Sequence, residues 1–117
     1  MDTSHVVSMV DMFRGCKELE YLNISSFDTS NVKHMYNMFW NCPKLRTVIL
    51  GEKFRFQGAG IESDNDWAIL PQPKMYSGRT QWKRIDGKYG PWDPKLLSIK
   101  YTPDMAGTWV LVFLEKE

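Results

Sequence analysis

Histidine and cysteine are scarce in this chain, two of each among 117 residues. His5 and His34 have no neighbouring ligand at the close spacing of zinc sites, so neither a metal nor another cofactor is expected. No glycine-rich phosphate loop follows a strand, and no Gly-x-Ser-x-Gly elbow occurs, so the pattern of an enzyme is missing. The longest apolar run, Trp109 to Leu114, is too short to cross a bilayer, so no membrane insertion is expected of this stretch. No basic segment followed by an apolar one opens the chain, so no signal peptide is read there. Charge of one sign is lacking too. The net charge is +1, which gives no global field toward nucleic acid or membrane.

What is present is a pattern written twice. Asp2-Thr3-Ser4 returns as Asp28-Thr29-Ser30, an offset of 26 residues. At the same offset Val6, Met9, Met12-Phe13, Cys16 and Leu19 return as Val32, Met35, Met38-Phe39, Cys42 and Leu45. Leu22 and Ile24 keep their character as Val48 and Leu50. A fixed period of this size marks a stacked-repeat architecture. Met1 stands where Phe27 stands in the second copy, so the pattern predicts a fragment of a longer array. Any leader or anchor would then lie outside it.

Within each copy the apolar spacing changes once. Val32, Met35, Met38, Phe39 and Cys42 read as one face of a short helix, with Asp28, Ser30 and Asn31 as capping residues before it. Leu45, Val48 and Leu50 then shift toward strand alternation. The fold class predicted is an α/β solenoid: a leucine-rich-repeat-like stack of two short helix-strand coils with parallel strands, over residues 1–50. Cys16 and Cys42 share a repeat position and read as buried thiols, a disulfide being the alternative, so they do not reveal the compartment.

Residues 51–117 lose the repeat and read as a small β-rich C-terminal cap. Phe54 and Phe56 alternate, Gln57 to Asp66 reads as an exposed loop, and Pro71 and Pro73 bar a helix. Thr80 to Tyr89 reads as a hairpin turning at Asp86-Gly87. Pro91 and Pro94 break the chain again. Thr108 to Leu114 is apolar on both faces, so a sandwiched strand is expected.

Phe27-Asp28-Thr29-Ser30-Asn31-Val32, with Met35, Met38-Phe39 and Cys42 before Leu45, resembles the BspA-like repeat of bacterial surface proteins. That family is also known as a mycoplasma-lipoprotein-type domain of unknown function. Tyr101-Thr102-Pro103 with Met105-Ala106-Gly107-Thr108-Trp109 is similar to the segment that ends such domains. The resemblance implies an extracellular protein, attached to wall or membrane, that acts in adhesion through its repeats. It carries over no catalytic residue.

Two surfaces stand out. Tyr21, Asn23, Thr47 and Ile49 are the outward strand positions and form the candidate protein-binding face, with a host or cell-surface protein as partner. Trp82, Lys83, Arg84, Lys88, Tyr89 and Trp92 interleave aromatic and basic residues, as a site for a glycan or an anionic wall polymer would. Nucleic acid is the weaker reading of that cluster, and the plain one is a hairpin with its rings turned inward. A structural spacer is the remaining alternative for the whole chain. An uncovered edge strand near the start would promote dimerisation.

Overall fold

The structure, a computed structural model, describes residues 2–35, 38–39, 42–56 and 80–113. Its centre is one mixed four-stranded sheet. Strands β1 (Tyr21–Ile24), β2 (Thr47–Leu50), β3 (Thr80–Arg84) and β4 (Gly107–Phe113) lie in the order β1-β2-β4-β3. The helix among the described residues is α1 (Pro94–Lys100), and a 3-10 turn follows at Pro103–Met105. Among the described residues the sheet is open rather than closed on itself.

The repeat offset appears directly in the ladder. β1 and β2 are parallel, with Tyr21 opposite Thr47, Leu22 opposite Val48, Asn23 opposite Ile49 and Ile24 opposite Leu50. Ser8 and His34 form a further parallel bridge at the same offset. Buried threonines tie successive turns: the Asp28 amide donates to Thr3 Oγ1 at 2.7 Å, and the Arg55 amide to Thr29 Oγ1 at 2.8 Å.

The helix-strand solenoid is nevertheless corrected. Where a helix was expected in each repeat, the chain makes a succession of turns. Val6, Met12, Cys16 and Leu19 each donate a backbone N–H to the carbonyl three residues earlier, as do Val32, Met38 and Leu45. The spacing of three comes from these turns. Other amides go sideways to the next repeat: Lys33 N to Val7 O at 2.7 Å, Met9 N to His34 O at 2.8 Å, Phe13 N to Met38 O at 2.9 Å. An N–H committed to a neighbouring segment cannot also close an α-helical turn. The expected caps change role accordingly. Asp2 and Asp28 accept the amides of Ser4 and Ser30, both at 2.9 Å, in Asx turns that start no helix.

The second correction concerns residues 51–117. They do not sit as a plug on a finished stack. β4 runs antiparallel along β2, Thr47 facing Val110 and Leu50 facing Gly107, and antiparallel along β3 on its other side. The two stretches therefore share one sheet, and the Cα radius of gyration is 13.3 Å. A compact chain near this length has about that value, ~13 Å for 100 residues.

The segments expected from 57 to 79, including the loop and the two prolines, lie outside the described residues. The expected hairpin is a return with a longer turn than Asp86-Gly87 alone. Arg84 N donates to Tyr89 O at 3.0 Å, and Trp82 and Trp92 exchange bonds of 2.7 and 2.9 Å. Pro94 starts a helix instead of breaking the chain. It holds the first helical position, where a missing N–H costs nothing, and Asp93 Oδ1 accepts the Leu96 amide at 2.8 Å. β4 is flanked by strands on both sides, and its two faces differ rather than being equally buried: Trp109 is buried, while Val110 and Val112 are half-exposed.

One apolar core lies under the sheet's inner face. Ile24, Val48, Leu50, Trp82 and Trp109 enter it from the strands. Met35, Met38, Phe39 and Leu45 enter from the turns, and Phe54, Leu97 and Tyr101 from the connecting segments. Tyr101 locks the two stretches together. Its ring packs edge-on to Phe54, Phe56 and Trp109, and its hydroxyl donates to the carbonyl of Gly51 at 2.7 Å. Burial pushes that hydroxyl up to about 12, so it stays a neutral donor. Position 51 needs glycine, since a Cβ there would run into the carbonyl oxygen of Ser25.

Tyr101→Phe keeps the ring and leaves the Gly51 carbonyl without this donor. The expected loss is about 1–3 kcal/mol of unfolding free energy, read from urea denaturation at unchanged m-value.

Candidate functional site

In a sheet, residues directly opposite one another project to the same face. The printed pairings therefore run two rows across the outer face. One row is Tyr21, Thr47, Val110 and Lys83, one residue from each strand. With three strand spacings between its ends it spans about 14 Å. The second row is Asn23, Ile49 and Thr108. Ile85 extends it through a 2.8 Å bond from its amide to the Thr108 carbonyl. Tyr21 is 56% exposed, Asn23 and Ile85 are exposed, and the other five are half-buried.

The four residues expected on a common face are thus on one, and the face is wider than expected. Thr108, Val110 and Val112 were read as part of a sandwiched strand, so their side of β4 was not recognised as outward. The alternation Trp109-Val110-Leu111-Val112 does hold the signal, since its two faces differ in bulk, but only the pairing with β2 says which face is which.

The basic aromatic cluster comes apart. Trp82 is fully buried on the inner face, so it offers no stacking platform at the surface. Tyr89 and Trp92 are half-buried and lean on each other with ring centroids 6.4 Å apart. Arg84 is committed to the fold. Its Nε and Nη2 reach the Asp86 carboxylate at 3.0 and 2.6 Å, its Nη1 reaches Asp104 O at 3.0 Å, and its guanidinium covers the Tyr89 ring at 4.8 Å. Lys88 is exposed in the turn, and Lys83 belongs to the outer row instead. Trp82 and Lys83 thus lie on opposite faces of β3, while Arg84, Tyr89 and Trp92 stay in contact with one another.

Both thiols are free. Cys42 is buried, and its Sγ donates to the Phe13 carbonyl at 3.0 Å, while burial pushes its pKa up. No group of three metal-ligating side chains lies together among the described residues, and no helix among them is long and apolar enough to cross a membrane. A shallow groove opens beside Ile49, between Ser25, Glu52, Lys53 and Gly107.

Residues 1–58 match the family described as "Mycoplasma protein of unknown function, DUF285". The repeats carry the match. It ends before β3, so about half of the sheet lies beyond it. No curated protein and no solved structure matches the chain.

The Arg84 contact sets an acid limit. It holds the Asp86 carboxyl down at about 2, from an ordinary 3.8, with the Lys88 amide adding to the effect. A depressed carboxyl pKa stabilises the fold above the unfolded value and loses that contribution as pH falls toward the folded one. Asp86→Asn should therefore lower the melting temperature at pH 6, with the difference from wild type disappearing between about pH 4 and pH 2. Thermal melts of both proteins across that range check it.

Proposed function

We propose that this chain is a non-enzymatic binding module of a bacterial surface protein, of the BspA-like kind, and that it presents its outer sheet face to a protein partner. The reading rests on one observation: Tyr21, Thr47, Val110 and Lys83 stand in a single row, each on a hydrogen-bonded strand. Side chains held on a paired backbone lose little freedom when a partner docks, so less ordering entropy opposes binding. The row mixes an aromatic, a hydroxyl, an aliphatic and a cationic group, which suits a protein surface better than a repetitive polymer. Attachment at the cell surface and a role in adhesion follow the family resemblance of the repeats.

Tyr21 is the natural anchor, as the large exposed aromatic of the face. The test is binding of the purified protein to a panel of purified animal surface and matrix proteins and, in parallel, to cell-wall polysaccharides. The proposal expects saturable binding on the protein arm, weakened about tenfold or more by Tyr21→Ala and nearly unchanged by Lys88→Ala. Binding to polysaccharide alone, falling steeply with salt, would contradict it, as would no binding on either arm.

A further inference from the structure

Cys16 and Cys42 are the two cysteines of the chain, both free, and they occupy the same position in successive repeats. Contacts on either side of them fix how closely the two turns lie. Ahead of them, the Phe13 amide donates to Met38 O at 2.9 Å, and the Phe13 and Phe39 rings stack with centroids 5.9 Å apart. Beyond them, Lys44 Nζ reaches the Glu18 carboxylate at 2.8 Å, and the Arg46 amide donates to Glu20 O at 3.0 Å. Segments bonded side by side in this way run about 4.8 Å apart, and a disulfide joins Cα atoms about 4.4–6.8 Å apart.

The two residues also meet on one atom. The Phe13 carbonyl oxygen accepts the Cys16 amide at 3.2 Å and the Cys42 Sγ–H at 3.0 Å. Cys42 Sγ thus reaches across to the turn that carries Cys16. When it swings off that carbonyl, the Cys16 amide still satisfies the oxygen, so no buried acceptor is stranded. Neither cysteine belongs to β1 or β2, where a regular ladder would hold their Cβ atoms parallel at the full strand spacing. Both lie in turns, Cys16 O accepting the Leu19 amide and Cys42 O the Leu45 amide.

We propose that Cys16 and Cys42 form a redox pair, joined by an intramolecular disulfide when a peroxide is present and parted again by a thiol reductant. Cys42 is buried and burial pushes its thiol up, so the reaction opens on the thiolate of the half-buried Cys16. That sulfur attacks one peroxide oxygen, the O–O bond breaks, and the sulfur becomes a sulfenic acid while the released hydroxide takes up the thiol proton as water. The Cys42 sulfur then attacks the Cys16 sulfur. The S–O bond breaks, and the hydroxyl leaves as a second water with the Cys42 proton. Two electrons pass from the thiols to the peroxide, and the S–S bond is what remains. It ties one repeat to the next just ahead of β1 and β2. A cross-link that native geometry accepts restricts the unfolded chain, so the oxidised form is the more stable. The pair is independent of the proposed binding face.

The test treats the folded, fully reduced chain with dilute hydrogen peroxide, then reads intact mass and a peptide map after alkylation of any remaining thiol. The inference expects the loss of two hydrogen atoms, no thiol left to alkylate, and one cross-linked peptide pair carrying Cys16 and Cys42 of the same chain. Dithiothreitol should restore both thiols. The oxidised form should unfold at a higher urea concentration than the reduced one. Cys42→Ser keeps a hydroxyl donor for the Phe13 carbonyl but removes the second sulfur, so its Cys16 should stop at the sulfenic acid, which dimedone traps. Wild-type thiols that survive a peroxide dose sufficient to modify Cys16 in this variant would overturn the inference. So would oxidation to sulfinic acid without joining, or cross-links between chains alone. An internal disulfide that lowers the urea midpoint would overturn it as well, since the fold would then be holding the two sulfurs apart.

Discussion

A strand left with a bare edge must find a partner or face water, and the edge of β2 away from β1 is met by β4. That contact makes one sheet from two unlike stretches of chain. It places Trp109 against Val48 on the inner side, and Val110 beside Thr47 on the outer. With the core continuous beneath both, Tyr101 can reach the Gly51 carbonyl fifty positions away along the chain. Remove the β2–β4 pairing and β2 would keep a row of unsatisfied backbone groups on that edge, with the core beneath it open.

The same contact explains what could be read from the residues and what could not. The offset of 26 was visible as a spacing and returned as the β1–β2 register, because equivalent side chains in successive repeats sit opposite each other. The buried set of Met35, Met38, Phe39 and Leu45 was visible for the same reason. The helix was misjudged. Apolar residues three apart fit a helical face and a chain of turns alike, and what separates them is the destination of the N–H groups of Met9, Phe13 and Lys33 in the neighbouring repeat. α1 was hidden by treating Pro94 as a breaker, although Asp93-Pro94 is a helix start as readily as a stop.

The candidate face shows a similar division. Tyr21, Asn23, Thr47 and Ile49 could be assigned outward because the repeats supplied both alternation and register. Val110 and Lys83 could not join them until the order of strands was known, since nothing local in residues 80–113 states which strand β4 lies beside. Trp82 is the opposite case. Its neighbours Lys83 and Arg84 gave it the look of a surface aromatic, and strand alternation sends it inward with Leu111 while Lys83 goes out. A pattern of basic and aromatic residues means little until each is given a side of the sheet.

The most direct test of this arrangement is native-state hydrogen exchange, followed amide by amide with denaturant. The Leu111 amide, which donates to Arg46 O at 2.9 Å, joins the two stretches and should exchange only through global unfolding. The account predicts that it shares one free energy and one denaturant slope with the amides of β2 that bond to β1. If the amides of 107–113 instead open at markedly lower free energy while β1 and β2 stay protected, the two stretches are separate units and the shared sheet is not what holds the protein together.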